Sequence, residues 1–278
     1  MTGPSGAVWP YRLVTAVLAK LLETYPGRFT IETHTPVTSV SASKSTSYSY
    51  EVHTDRGVIQ AKQVVYCTNA HTGHVLPLMK GKIFPARGHM TVQLPGQSFT
   101  RVGSHRSWNI VHGKHGLEYI TQNGHTGEIF LGGGFIRGQN GGIYEMGNSA
   151  DDKFDPLINI HLSGALPIAF GVENWGIDSA EGPRIKSMWT GIMGFTADGL
   201  PLVGRLPSSA TGREEGNEWI AAGFNGYGMV NCWLSGKALA LKILGQDTRS
   251  WFPEVYEISH KRLEAMSPAG FASHIFGA

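Results

Sequence analysis

One segment constrains the fold more than any other. Glu218-Trp219-Ile220-Ala221-Ala222 reads as an apolar strand, Gly223-Phe224-Asn225-Gly226-Tyr227-Gly228 as a glycine-rich turn, and Met229 to Leu244 as a helix with Leu234, Ala238 and Leu241 on one side. A strand running through such a turn into a helix belongs to an α/β sheet, whose ligands bind beyond the carboxyl ends of the strands. Glycines let a ligand approach the backbone, and the free amides at the positive end of the helix favour negative charge nearby. The spacing is not the G-x-G-x-x-G of a dinucleotide fingerprint, so alone it fits a plain strand-to-helix connection better than a ligand site.

The rest of the chain supplies the context. Leu13, Val14, Val17, Leu18, Leu21 and Leu22 recur at helical spacing between Pro10 and the stop Tyr25-Pro26-Gly27, which predicts a helix with one buried face. From Phe29 the period falls to two: FTIET, VTSVS, YSYEVHT, the turn Asp55-Arg56-Gly57 and VIQA predict an antiparallel meander. Val64 to Thr68 is a continuous apolar run, expected as a strand buried on both faces of a parallel sheet and ending at Asn69-Ala70. From Lys82 to Thr190, GHMTVQL, SWNIVH, LEYITQ, the hairpin signal Asn123-Gly124 and GEIFLGGG predict a second antiparallel sheet. Helical periodicity enters that block only from Phe154 to Phe170, with breaks expected at Gly164 and Pro167. These elements together predict an α/β (α+β) chain with an antiparallel-sheet block over 82–190.

Composition narrows the function. Lys and Arg number 23 against 21 Asp and Glu, so the formal charge of +2 offers no field to draw nucleic acid or an acidic membrane. The 37 glycines and 16% charged residues describe a folded, turn-rich chain. Only Cys67 and Cys232 are cysteines and no Asn-x-Ser/Thr sequon occurs, which makes a reducing, cytoplasmic setting the expectation. No apolar run reaches bilayer length, Lys20 interrupts the nearest imitation of a signal peptide, and Phe276-Gly277-Ala278 is no peroxisomal address.

Candidate residues each have a plainer reading beside the functional one. Cys67, His71 and His74 could offer three ligands on one helical turn, but no fourth partner stands at a recognisable spacing, so no metal is expected. His112 to His115 reads as a hairpin-edge loop, and Ser41-x-x-Lys44 as part of a serine-rich loop without supporting motifs. Tyr119, Trp189 and Met193 could line an apolar substrate pocket or simply fill core. Tyr227 is the best polar candidate, its hydroxyl able to orient a substrate or shuttle a proton; otherwise it is a lid over the sheet. Asp198 is expected to shape its turn.

Four ordered segments, WPYRLVTAVLAKLL, HTPVTSV, VVYCTNAHTGHVLP and the stretch from GFTADGLPLVGRLP through EWIAAGFNGYGM to SGKALALKIL, resemble the flavoprotein oxidases related to D-amino-acid oxidase, glycine oxidase and sarcosine oxidase. The resemblance implies two interlaced domains with flavin between them, a partial, flavin-binding Rossmann-like sheet with the meander over 1–81 and 191–278 and an antiparallel substrate domain over 82–190, and hydride transfer to FAD from a carbon next to nitrogen, oxygen reoxidising the flavin. It implies that the backbone of Val37 approaches the adenine side, that Asn69 and Ala70 lie near the flavin, and that Gly226, Tyr227, Gly228 and Met229 line the ring.

The departures from that pattern carry equal weight. No G-x-G-x-x-G exists in this sequence to seat the pyrophosphate, so FAD binding by this chain is expected to be weak or absent. The strand Val64 to Thr68 is then expected as an open edge, covered by a missing amino-terminal segment, a partner chain or self-association. Met193 stands where relatives carry a carboxylate-binding Arg, Val230 where others carry a Lys, Tyr227 where a His is common and Asn69 where a Gly is. Gly191 stands near the position of a flavin-linking cysteine, so any FAD is non-covalent. The expected substrate is a small-molecule amine without the carboxylate clamp, unless Arg87 or Arg137 supplies the cation. The rival reading is a non-redox remnant that binds an apolar small molecule or a partner chain.

Overall fold

The computed structural model describes residues 6–112, 116–179, 182–214 and 216–269. In chain order it contains α1 (Pro10–Thr24), β1 (Val37–Ala42), β2 (Tyr50–Thr54), β3 (Gly57–Ala61), β4 (Val64–Tyr66), α2 (Thr72–Val75), β5 (Ile83–Gln93), β6 (Ser107–His112), β7 (Gly116–Gln122) and β8 (Ile129–Gly133). There follow α3 (Pro156–Phe170), α4 (Val172–Trp175), β9 (Ile185–Thr196), β10 (Leu202–Arg205), α5 (Ser208–Thr211), β11 (Glu218–Ala222), α6 (Gly228–Ile243) and α7 (His260–Ala265). The mixture of helices with antiparallel strand pairs and the parallel pair β11–β4 is the expected α/β class.

Two compact units divide the chain. One holds Met1–Thr35, His89–Gly142 and Asp152–Thr190; the other holds Pro36–Gly88, Ile143–Asp151 and Gly191–Ala278. Relative to the sequence-based division, residues 1–35 group with the first unit and 82–88 and 143–151 with the second.

The first unit holds β6, β7 and β8 with β5 from His89 and β9 up to Thr190, in the sheet order β6-β7-β8-β5-β9. Along β7 the pattern alternates strictly, burying Gly116, Glu118, Ile120 and Gln122 and leaving Leu117, Tyr119 and Thr121 exposed. Against the buried face packs α3, whose Ile158, Leu162 and Leu166 join Ile120, Ile129 and Leu131 in one cluster. Asp155 caps α3 by accepting hydrogen bonds from the Leu157 and Ile158 amides at 2.8 and 3.1 Å. The helix is not broken at Gly164 or Pro167 as the sequence suggested. Pro167 leaves the Ser163 carbonyl without its helical donor, and Arg184 takes that oxygen at 2.6 Å. Asn123-Gly124 likewise does not form a two-residue hairpin. The connection runs over residues 123–128, with Asn123 Oδ1 accepting from the His125 and Thr126 amides.

Helix α1 forms as its periodicity and Pro10 require, but none of its residues is buried, which corrects the expected packed face. Periodicity specifies a helix; burial needs a partner surface, and the described residues supply none.

The second unit contains the expected meander, β1-β2-β3, all antiparallel. The stretch FTIET is not a strand: pairing begins at Val37, after His34 has turned the chain at φ 52°. A separate sheet of order β10-β11-β4 pairs β11 parallel to β4 and antiparallel to β10. As the edge strand, β4 is shorter than expected and leaves Val65 44% exposed, so it is not buried on both faces. Tyr66, Glu218 and Arg213 tie these pieces together. The Tyr66 hydroxyl donates to Glu218 Oε2 at 2.6 Å, Arg213 donates to both Glu218 oxygens, and it also reaches the Val40 carbonyl at 3.0 Å. Burial, then the hydrogen bond to Glu218, pushes the Tyr66 phenol well above its ordinary range. Helix α6 packs with Ser235, Ala238 and Leu239 inward, while Leu234 is 52% exposed; the buried stripe is rotated from the one expected, toward Ala221 and Val203.

Candidate functional site

The glycine turn between β11 and α6 is held by two asparagines, both in the left-handed region that Asn tolerates better than other side chains. Asn69, at φ 44°, ends the passage from β4, and its Oδ1 accepts from the Gly223 amide at 2.9 Å and the Phe224 amide at 3.5 Å. Asn225, at φ 53°, sits inside the turn; its Oδ1 accepts from the Thr196 amide at 2.8 Å and its Nδ2 donates to the Gly223 carbonyl at 2.6 Å. The Asn225 amide donates to the Gly194 carbonyl at 2.8 Å. Three separate stretches, around Asn69, Gly194–Thr196 and the turn, are thereby locked to one another. Gly194 is obligatory: a Cβ there would lie 2.5 Å from Asn69 Oδ1 and 2.9 Å from the Ala70 amide.

Beyond the latch the turn opens. Gly226 is at φ 80°, and a Cβ on it would find nothing nearer than Met193 Sδ and Phe195 Cζ, each at 3.9 Å. Met193 reaches toward Gly88, where an added Cβ would stand 2.9 Å from its terminal methyl. Tyr227 and Met229 are each 64% exposed and Val230 is 75% exposed. No side chain caps α6 and no acid occupies its first turn, so its amino-terminal amides keep their capacity to receive an anionic group. Cys67 and Cys232 are exposed free thiols, both pushed upward by burial of the sulfur, and Cys232 further by Cys67.

Other expected residues fall as follows. Val37 opens β1 beside an irregularity in the register and packs half-buried against the core, and Ala70 is buried behind Asn69. Tyr119 and Trp189 belong to the first unit and Met193 to the second. The Tyr119 ring lies over Gly132, where a Cβ would come within 2.4 Å of it, and Trp189 meets Phe130 edge-on at 6.2 Å. Phe130 and Gly132 share a face of β8, so Tyr119, Phe130 and Trp189 form one aromatic surface on the side of the sheet away from α3. Tyr119 and Trp189 are each 39% exposed and so are not core. Desolvation pushes the Tyr119 phenol upward.

Arg87 is already engaged in a buried bidentate pair with Glu145, at 2.6 and 2.8 Å, and donates to the Ala150 carbonyl; Arg137 is exposed. Asp198 shapes its turn as expected, accepting from the Leu200 amide, and also pairs with Arg262 at 2.7 Å. Among the described residues, Cys67, His71 and His74 make no ligand cluster. His115 lies outside the described residues, as does the carboxyl-terminal tripeptide. Sequence reasoning passed over Gly194, Thr196 and the role of Asn225. The signal available was an Asn beside Gly in a turn, a residue type suited to positive φ.

An α/β sheet with an open glycine turn at a helix amino terminus is a class of fold whose ligands bind beyond the carboxyl ends of the strands. Residues 2–241 match the model of the DAO family, FAD-dependent oxidoreductases, and the chain belongs to that family. No curated protein matches it. Among solved structures, L-proline dehydrogenase from P. horikoshii is similar at 24% identity and TM-score 0.60, over 89% of this chain and 58% of that one. Glycine oxidase from Geobacillus kaustophilus aligns at 16% identity and TM-score 0.56, over 81% and 52%. Iminodiacetate oxidase from Chelativorans sp. BNC1 aligns at 16% and 0.53, over 78% and 52%. The chain thus spans little more than half the length of these structures, and the likeness is one of fold.

Proposed function

We propose that this chain carries the flavin-ring and substrate-facing portion of an FAD-dependent oxidoreductase that removes a hydride from a carbon next to an amine nitrogen. The observation that carries the reading is the latched turn Gly223–Gly228 at the uncapped amino terminus of α6. The residues present fit a planar ring: Gly226 leaves approach space, Met193 and Phe195 border it, and the first amides of α6 would hold the electron-rich pyrimidine edge. FAD, when bound there, supplies the hydride acceptor. Binding would be non-covalent, since Gly191 offers no thiolate.

The remaining steps belong to the chain's own side chains. Tyr227, exposed and with no hydrogen-bond partner for its hydroxyl among the described residues, would place the substrate nitrogen or carry its proton. Met193 and Val230 present apolar surface and Arg87 is committed to Glu145, so a substrate carboxylate would find no cation among these residues. Burying it unpaired costs more than the roughly 1.5 to 3 kcal/mol of a charged hydrogen bond, which favours amines lacking that group. The proteins of similar fold are by name a proline dehydrogenase, a glycine oxidase and an iminodiacetate oxidase, which supports chemistry at a carbon–nitrogen bond. The test is turnover of a flavin-loaded sample, read as dye reduction and peroxide release. Amines without a carboxylate should exceed glycine and D-alanine by at least about tenfold; a preference for glycine or D-alanine would overturn the substrate assignment.

A further inference from the structure

Away from the glycine turn, three side chains from three elements of the first unit converge. His112 ends β6, Glu118 lies on β7 and His161 on α3; one ligand atom from each falls within 4.8 Å of the others. The strand register dictates the first pairing. Glu118 faces Ile110 and His112 faces Gly116, so the histidine and the glutamate are diagonal neighbours on the face that α3 covers. His161 Nε2 stands 2.8 Å from Glu118 Oε1. His112 Nε2 stands against Glu118 Oε2, yet that oxygen makes no hydrogen bond of acceptable geometry.

Glu118 is 0% exposed. A fully buried carboxylate is costly unless a cation compensates it, and among the described residues no lysine or arginine pairs with it. Glycines make the room. A Cβ at Gly116 would lie 2.7 Å from His112 Cβ, one at Gly133 would lie 2.9 Å from Glu118 Cα, and one at Gly134 would lie 3.2 Å from His161 Cδ2. The His112 and His161 side chains are 34% and 21% exposed, which leaves a path for an ion from solvent.

We propose that His112, Glu118 and His161 bind a divalent first-row transition-metal ion. Two imidazoles and one carboxylate are the donor set of three-ligand zinc centres, which keep a position for water. Bonds of about 2.0 to 2.2 Å place tetrahedral ligand atoms roughly 3.3 Å apart, so a small opening of the present contacts admits the ion. The ion would neutralise Glu118 and pin α3 to the sheet. Sequence spacing could not reveal the trio, because strand register and helix packing assemble it.

The experiment titrates zinc into the full chain after chelator treatment, measured by calorimetry, with cobalt as a spectroscopic probe. One equivalent is expected to bind, cobalt giving the visible bands of a low-coordinate site. His112→Ala and His161→Ala, each confirmed folded by circular dichroism, should lose more than about 100-fold in affinity, since even outer-shell changes cost 10- to 100-fold. A His71→Ala/His74→Ala variant should bind as the parent does. Failure of the folded parent to take up zinc, retention of the parent affinity in either ligand variant, or loss in the His71/His74 variant would each overturn the proposal.

Discussion

Asn69 and Asn225 do at residue scale what a longer loop would need many contacts to do. Asn69 accepts two turn amides while accepting a backbone strain that Gly would avoid. Asn69→Ala should destabilise the chain by about 2 to 4 kcal/mol in urea unfolding, combining an orphaned amide with a Cβ at positive φ. Asn69→Gly should cost less, because only the hydrogen bonds are lost; equal loss in both would show that strain contributes nothing. Asp198 gives a pH-dependent counterpart. Burial raises its carboxyl, but the hydrogen bonds and charge of Arg262 outweigh that and hold it below the usual carboxylate range. A depressed folded-state value means that its stabilisation is present above the unfolded value near 4 and is lost as pH falls through the folded one. Asp198→Asn should therefore cost about 1 kcal/mol at pH 7, and the gap to the parent should close below about pH 4. A gap that persists in acid would remove the Arg262 pair as its cause.

At the scale of elements, the β11–turn–α6 unit is where sequence and structure agree best, because its strand, turn and helix are contiguous and each carries a local signal. What was not legible needed partners distant in the chain. The exposure of α1, the edge position of β4, the rotated stripe of α6 and the unbroken α3 all follow from which surface lies opposite, which periodicity does not encode. The same holds within the site. Gly226 was visible as a turn glycine, whereas Gly194 matters only because Asn69 arrives 2.5 Å from where its Cβ would be. Gly194→Ala should disrupt the latch and lower the thermal midpoint by several degrees, on the order of 1 to 3 kcal/mol. Gly164→Ala, where an added Cβ meets nothing within 4 Å, should instead leave the midpoint unchanged or raise it slightly.

For the whole molecule, the open edge of β4 and the absence of a G-x-G-x-x-G from this sequence bear on cofactor affinity and on association. The edge strand, with Val65 exposed, offers a pairing place to a further segment, a partner chain or a second copy; concentration-dependent sedimentation would favour the second copy, and a single monomeric species across the micromolar range would exclude it. We infer that a sequence without a G-x-G-x-x-G turn binds FAD weakly: a helix dipole and two charge-assisted hydrogen bonds at the pyrophosphate would contribute about 4 to 7 kcal/mol, or about three to five decades of affinity. What remains is the turn. Titration of FAD into the chain and into Gly226→Val, with folding checked by circular dichroism, tests this most directly. Weak, saturable uptake that desalting removes is expected, with at least about tenfold weaker binding by the variant. Equal affinity of the two, or a full equivalent of flavin retained by the parent through desalting, would contradict it.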